Sequence, residues 1–203
     1  MTTVSVVYHS GMGHTTKMAE AVAQGAGSVA DVKVQTIALS GKDIIEGRYK
    51  NPAVLEQLDA SDAIIFGSPT YMGGVSAEFA KFKDWTSKRW MEGTWRNKLA
   101  AGFTASASWN GDKHNTLYQL LTLALQHGMV WVGLGLPPGF NHSKGSAEDL
   151  NRLGASVGAM AQANADQGVE GIAASDFRTM ESLGKRVADA ARRWREEPLA
   201  QAA

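Results

Sequence analysis

Val4-Ser5-Val6-Val7-Tyr8-His9-Ser10-Gly11-Met12-Gly13-His14-Thr15-Thr16-Lys17-Met18-Ala19 is the stretch on which the fold turns. Val4 to Tyr8 is an apolar, β-branched run with the character of a strand. From Met18 onward Met18, Ala19, Val22, Ala23 and Ala26 form a 3.6-residue stripe, an amphipathic helix that ends at the glycine pair Gly25 and Gly27. Between the two, Ser10 to Thr16 is small and hydroxylated. A strand emptying through such residues into a helix leaves the first helical N–H groups without carbonyl partners, aimed at one point in space. The stretch therefore predicts an anion cradle. The helix dipole favours an anion by roughly 0.3–1 kcal/mol, whereas each hydrogen bond to a charged group from an N–H, or from the hydroxyls of Ser10, Thr15 and Thr16, adds about 1.5–3 kcal/mol. Hydrogen bonding dominates. Two phosphate chemistries are excluded. A nucleoside-triphosphate loop needs its lysine after a glycine, and Lys17 follows Thr16. A dinucleotide fingerprint starting at Gly11-x-Gly13 needs glycine or alanine at position 16 and an acid at the end of the next strand, whereas Asp31 precedes that strand. What remains is a monophosphate held by hydroxyls and backbone or, for the loop taken alone, an ordinary strand-to-helix turn.

Composition bounds the rest. At 203 residues, 44% of them hydrophobic, the chain can bury one substantial core, and we expect one domain over residues 1–197 with a disordered tail at 198–203. Without cysteine there is no disulfide framework, thiolate metal site or redox dithiol, so any electron transfer needs a bound cofactor, and a cytoplasmic location is expected. No apolar run approaches the about 18 residues of a membrane span, and no basic segment leads into an apolar one at the N-terminus. Neither membrane anchorage nor export is expected. Twenty basic residues balance twenty acidic ones, which argues against nucleic acid as a partner and points to small molecules. The five histidines show no paired metal-ligand spacing, so no metal is expected.

Further along, Val32 to Ile37 alternates as an edge strand does, and Ala63-Ile64-Ile65-Phe66 is continuously apolar, as a central parallel strand is. Ser40 to Asp62 between them reads as a crossover with a short helix at Val54, Leu55 and Leu58. Ser76 caps a helix through Phe79, Phe82 and Trp85, Leu99 to Phe103 is a small-residue strand, and His114 to Gln126 is a helix leading to a fifth strand at Met129–Val132. Phe140 to Ser175 reads as irregular around a short helix near Leu150 to Met160, and Thr179 to Trp194 as the last helix. Strands alternating with helices predict an α/β doubly wound parallel sheet, order 2-1-3-4-5, with helices on both faces. In that order the loops leaving strands one, three and four lie side by side at the carboxyl edge, where such sheets bind ligands.

Two of those loops carry further chemistry. Gly67 to Gly74 combines Pro69, Thr70, Tyr71 and Met72 between glycines, suited to packing on a planar heterocycle, and Thr104 to Asp112 offers small residues for close backbone approach with Trp109 as a wall. Singly they also fit a plain turn and a loop aromatic covering the core. Their convergence on the anion loop favours binding.

Tyr8 to Met18, Asp62 to Thr70, Gly73 to Ser76, Trp90, Lys98-Leu99-Ala100 and His127-Gly128-Met129-Val130 together resemble the flavodoxin-like NAD(P)H:quinone oxidoreductases of the WrbA type, nearly end to end. The resemblance implies a flavodoxin-like fold, an FMN cofactor, NADH or NADPH as donor, a quinone as acceptor and a homo-oligomer, dimer or tetramer. It places Ser10, Met12, Gly13, His14 and Thr15 on the FMN phosphate, beside Thr16 from the hydroxyl argument. It places Thr70, Tyr71, Met72 and Gly73, with Pro69 in the same loop, and Ser106, Ala107, Ser108 and Trp109 on ribityl and isoalloxazine. The flavin itself carries the chemistry, so no catalytic side chain is assigned. Trp90 and Trp109 are expected to contact substrate, Trp90 across a subunit boundary. The alternative is a flavodoxin-type electron carrier or an FMN-binding redox module without nicotinamide-dependent activity. The chain departs from the family pattern at Tyr71-Met72 (arginine-phenylalanine in the family), at Ala107 to Asn110 (glycine-rich), at Gln126 (histidine) and at Asn151 to Gly154, where a glycine-threonine-proline stretch is absent. His14 is expected to position the phosphate loop and His127 to cap its helix.

Overall fold

The computed structural model describes residues 1–196, so the expected tail lies outside the described residues. In chain order the elements are β1 (Thr2–Tyr8), α1 (His14–Gly27), β2 (Val32–Ala38), the hairpin β3 (Ile44–Ile45) and β4 (Arg48–Tyr49), α2 (Pro52–Asp59), β5 (Ala63–Tyr71), β6 (Gly74–Val75), α3 (Ala77–Trp85), α4 (Ser87–Glu92), β7 (Leu99–Ser106), α5 (Lys113–Gln126), β8 (Val130–Trp131), β9 (Ala159–Gln162) and α6 (Ala174–Glu196). The sheet runs β2-β1-β5-β7-β8, all neighbours parallel, which is the predicted order. Each face carries its own core. Val4, Val6, Met18, Val22, Leu183 and Val187 pack under α1 and α6, while Val7, Phe66, Phe79, Phe82, Trp95 and Leu120 pack on the opposite side.

Three readings change. The short helix expected near Leu150 to Met160 is absent: Asn151 and Gly154 both take positive φ, 52° and 70°, which an α-helix cannot accommodate. Residues 159–162 form β9 instead, hydrogen-bonded alongside β7 from Phe103↔Ala159 to Ser106↔Gln162. The fifth strand is therefore built from two pieces, β8 along the start of β7 and β9 along its end. The last helix begins at Ala174, five residues before the expected Thr179, because polar residues fasten its first turn: Ser175 Oγ donates to the Ala147 carbonyl and Asp176 takes both arms of the Arg152 guanidinium. Finally, β5 does not end at Phe66 but continues to Tyr71 and folds back through Met72-Gly73, whose φ values of 48° and 78° make a type I′ turn.

Gly25 lies inside α1, which runs on to Gly27, and its role is in packing. A Cβ there would overlap the Glu181 carbonyl oxygen, and one on Gly184 would overlap that of Val22, so the two helices cross backbone to backbone. This seats α1, and with it the anion loop, firmly on α6. Ser76 caps α3 as predicted, accepting from the Phe79 N–H at 3.3 Å.

Candidate cofactor cleft

The loop between β1 and α1 turns on Gly13, which ends the non-helical segment at φ 88°, in the left-handed region open to glycine at no steric cost. Ser10 then does what a capping residue does from further back. Its Oγ accepts from the Gly13 N–H at 3.1 Å and the Thr16 N–H at 3.3 Å, holding the loop curled over the start of the helix. The N–H groups of His14 and Thr15, in the first turn, have no carbonyl within the helix to bond.

The other two loops arrive beside it. Met12, His14, Thr15, Pro69, Thr70, Tyr71, Ser106 and Ala107 line one cleft of about 250 Å³ at the carboxyl edge of the sheet. Of the other expected contacts, Ser10, Gly13 and Thr16 shape the anion loop beneath it, and Met72, Gly73, Ser108 and Trp109 stand outside its lining, with Met72 fully exposed at the hairpin tip. Tyr71 spans two loops, its hydroxyl lying so close over Gly11 that a Cβ there would overlap it. Partial burial and the nearby Glu78 carboxylate push its phenol pKa up. The Thr70 hydroxyl is committed internally, 2.9 Å from Thr104 Oγ1 and 2.8 Å from Thr116 Oγ1, which ties the second loop to β7 and α5. His14 donates from Nε2 to the Gly168 carbonyl at 3.0 Å, bracing the anion loop against the segment that leads into α6.

The fourth wall was not anticipated. Ala163, Asn164, Ala165 and Gln167, just after β9, complete the cleft, and the side chains that hold the third loop in place come from far along the chain. Gln162 Nε2 donates to the Ala107 carbonyl at 2.8 Å. The fully buried Lys113 Nζ donates to Ser106 Oγ and to the carbonyls of Ser108 and Trp109, all within 2.9 Å. Arg152 lies with its guanidinium 5.0 Å above the Trp109 ring while bonding Asp176 at 2.7 and 2.8 Å. Desolvation pulls the Lys113 pKa down to about 8; Asp176 works against that shift and Arg152 with it.

Trp90 is not in this cleft. It stands 53% exposed on α4 and lines a hollow of about 650 Å³ with Lys83, Asp84, Gln119 and His127, towards the other end of α5. That hollow is larger, and the start of the short α4 borders it at Thr86 and Ser87, but no glycine-bearing loop at the carboxyl edge of the sheet faces it, as the loop of Gly11 and Gly13 does at the smaller cleft. His127 is the C-cap of α5, as expected. The Thr86 hydroxyl spends its hydrogen on the Lys83 carbonyl, so His127 Nε2 donates to Thr86 Oγ1 at 2.9 Å. Burial against Trp95 holds the ring neutral, its pKa down at about 4.

Residues 7–136 match the family model described as NADPH-dependent FMN reductase, from the end of β1 through the first three loops of the cleft, α5 and β8. The chain belongs to that family. It is 43% identical over 188 residues to flavodoxin FldP of Pseudomonas aeruginosa, covering 93% of this chain and 96% of that protein. It is 36% identical over 207 residues to an NAD(P)H dehydrogenase (quinone) of Archaeoglobus fulgidus, covering 94% and 98% respectively. Among solved structures, the flavodoxin, WrbA-like protein from Agrobacterium tumefaciens aligns with a TM-score of 0.73 at 41% identity over 95% of this chain and 99% of that one. The flavodoxin-like fold expected from the sequence is thereby established.

Proposed function

We propose that this member of the FMN reductase family is an FMN-dependent oxidoreductase that takes two electrons from NADH or NADPH and passes them to a quinone. The observation that carries the proposal is the cleft itself: three loops of one sheet edge meet there, and the first offers a helix N-terminus, a left-handed Gly13 and the Ser10, Thr15 and Thr16 hydroxyls to a single phosphate. The residues fit FMN on chemistry. Ser10, which accepts both loop N–H bonds, keeps its own hydrogen for a phosphate oxygen, and the small Ala105, Ser106 and Ala107 let backbone approach a flat ring. At about 250 Å³ the cleft falls below the roughly 300–1,000 Å³ of pockets that enclose a drug-sized ligand. A ligand of flavin size held there keeps part of its ring system accessible, as hydride transfer requires.

When bound, FMN supplies the hydride and electron chemistry. The chain's own tasks are to bind the phosphate through residues 10–16, to orient the ring between Tyr71 and the Ser106–Trp109 loop, and to leave one side open to nicotinamide and quinone in turn. Relatives named NAD(P)H dehydrogenase (quinone) support the enzymatic reading. A second reading, an electron carrier without nicotinamide turnover, is favoured by the relative named flavodoxin. Steady-state oxidation of NADH and NADPH with benzoquinone separates the two: the first reading expects turnover that depends on added FMN, and negligible turnover in the FMN-loaded protein overturns it.

Trp90 belongs to this proposal through a second copy of the chain. Distant from the cleft of its own chain and exposed beside Met91, it can reach only a neighbour's cleft, and there an aromatic wall would exclude water and stack a quinone. Trp90→Ala is expected to raise the quinone KM with little change in FMN affinity. Unchanged quinone kinetics, or a monomer with full activity, refutes the shared site. With no cysteine and no described helix long and apolar enough to cross a membrane, we place this reaction in the cytoplasm.

A further inference from the structure

Behind the third loop of the cleft lies a charge that the binding reading does not use. Lys113 is 1% exposed, and its three hydrogen-bond partners, Ser106 Oγ and the Ser108 and Trp109 carbonyls, are neutral oxygens. The charged groups facing it are Asp176 at the start of α6 and Arg152 of the segment before β9, and these already form a bidentate pair whose side chains are 2% and 5% exposed. Two cations thus share one carboxylate, and a net positive charge is left buried one hydrogen bond behind Ser106, a residue that lines the cleft. Burying an uncompensated charge costs several kcal/mol, so a fold keeps one where something compensates it. The cleft is the place where a compensating anion can come and go.

We propose that Lys113 is an electrostatic positioning residue that favours the reduced over the oxidised cofactor and so sets the reduction potential of the site. This rests on the reading that the cleft holds FMN. A hydride delivers two electrons and one proton to a neutral ring, which then carries one negative charge until a second proton arrives. The Lys113 ammonium, fixed by three bonds in a low-dielectric wall, stabilises that charge without needing to move, and charge placed near the flavin ring is a principal means by which proteins tune its electronics. The same three bonds fix the loop geometry, so the residue has a structural role as well, and the test must separate the two.

Lys113→Met keeps the unbranched apolar stem as far as Cε and removes the charge. FMN titration of the apoprotein, followed by fluorescence, comes first: failure of the wild-type protein to bind FMN overturns the cofactor reading rather than this one. The two-electron midpoint potential of the loaded proteins is then measured. A charge effect weakens binding of reduced FMN several-fold more than that of oxidised FMN, so the potential of Lys113→Met falls below that of wild type. A merely structural role weakens both forms equally and leaves the potential unchanged, which overturns the proposal. If Lys113→Met does not fold, the wild-type protein decides. Burial already pulls the Lys113 pKa down in the chain itself, and a negative charge on the reduced ring raises it, so reduction takes up an extra proton over the pH interval between the oxidised and reduced values. The potential then falls more steeply with pH across that interval than below it, and an unbroken slope from neutral to strongly basic pH overturns the proposal.

Discussion

Replacing Gly13 by alanine isolates the conformational requirement of the anion loop. Space is not the obstacle, because a Cβ at this position meets nothing nearer than Val169 Cγ1 at 3.7 Å, an ordinary van der Waals distance. The obstacle is φ of 88°, where an L-residue is disfavoured by roughly 1–2 kcal/mol. Alanine also stiffens the unfolded chain, which returns about 0.4–1 kcal/mol, so the net loss is about 1 kcal/mol. That cost appears in one of two places. If the loop keeps its shape, the apoprotein is destabilised by that net amount and FMN affinity is unaltered; if the loop relaxes, the apoprotein gains the unfolded-chain term of about 0.4–1 kcal/mol and FMN binding bears the full cost of roughly 1–2 kcal/mol, about five- to thirtyfold. The FMN-saturated protein loses the same total either way, about 2–4 °C in Tm for a chain of this size. Gly13→Asn gives the internal check, since asparagine tolerates the left-handed region better and should fall between glycine and alanine. Urea and thermal unfolding with and without FMN, together with FMN titration, measure every quantity in this cycle. A saturated Gly13→Ala protein as stable as wild type, or an asparagine variant worse than the alanine one, refutes the argument that backbone conformation is what this position requires.

Three other perturbations read the frame around the site. Gly25→Ala puts a Cβ into the Glu181 backbone, which cannot rotate away, so its cost should reach or exceed the top of the 1–3 kcal/mol range typical of overpacking despite alanine's better helix propensity; an unchanged Tm would show that α1 and α6 do not need this contact. His127 is neutral in the fold with a pKa near 4, against 6.5 for the free side chain, so as pH falls from 6.5 to 4 the unfolded chain takes up a proton that the folded one refuses. Stability should drop by about 3 kcal/mol across that window, and a His127→Gln variant should show a flatter acid limb in denaturant titrations. Arg152→Met strands the buried Asp176 and uncovers Trp109; a loss of about 3–5 kcal/mol with a changed tryptophan emission is expected, and near-wild-type stability would mean that the pair is not structurally required.

Where backbone alone shapes a loop, the sequence was sufficient to place it. The curl of Ser10 to Thr16 needs only a strand, a glycine able to turn left-handed, hydroxyls at short range and a helix, all contiguous, and the alternating Val32–Ile37 against the continuously apolar Ala63–Phe66 separated edge from centre in the sheet that brings the loops together. The same local reasoning misled between Phe140 and Ser175. There Ala159–Gln162 is too short and too small-sided to announce a strand, and its pairing with Phe103–Ser106 joins residues more than fifty positions apart. The Met72-Gly73 hairpin was hidden for a different reason: the sequence pairs one glycine with a methionine at positive φ, where the usual signature has asparagine or aspartate before the glycine. Trp90 shows the limit from the opposite side: the resemblance marks it for a site shared between subunits, and the structure places it in a hollow apart from its own chain's cleft.

The third loop explains why its clamp could not be read from local pattern and why it matters. Family members with a glycine-rich loop here can let backbone approach the ligand directly. This chain has Ala107-Ser108-Trp109-Asn110 instead, bulkier and with less freedom to wrap, and the side chains that secure it come from four places: Lys113 from α5, Gln162 from β9, Arg152 from the preceding turn and Asp176 from α6. None of these is distinctive alone; a lysine at a helix start even opposes the helix dipole. Together they join the loop to α5, to β9 and to the last helix. They also show why an overall charge of zero was a poor guide to the site. Balanced totals speak to solubility and long-range steering, whereas the charge behind the third loop is local: Lys113 and Arg152, two positive groups, against the one carboxylate of Asp176. If the cleft holds FMN as proposed, this surplus positive charge lies behind the wall where the negative charge of a reduced ring would be held, whether the electrons leave singly or as a pair.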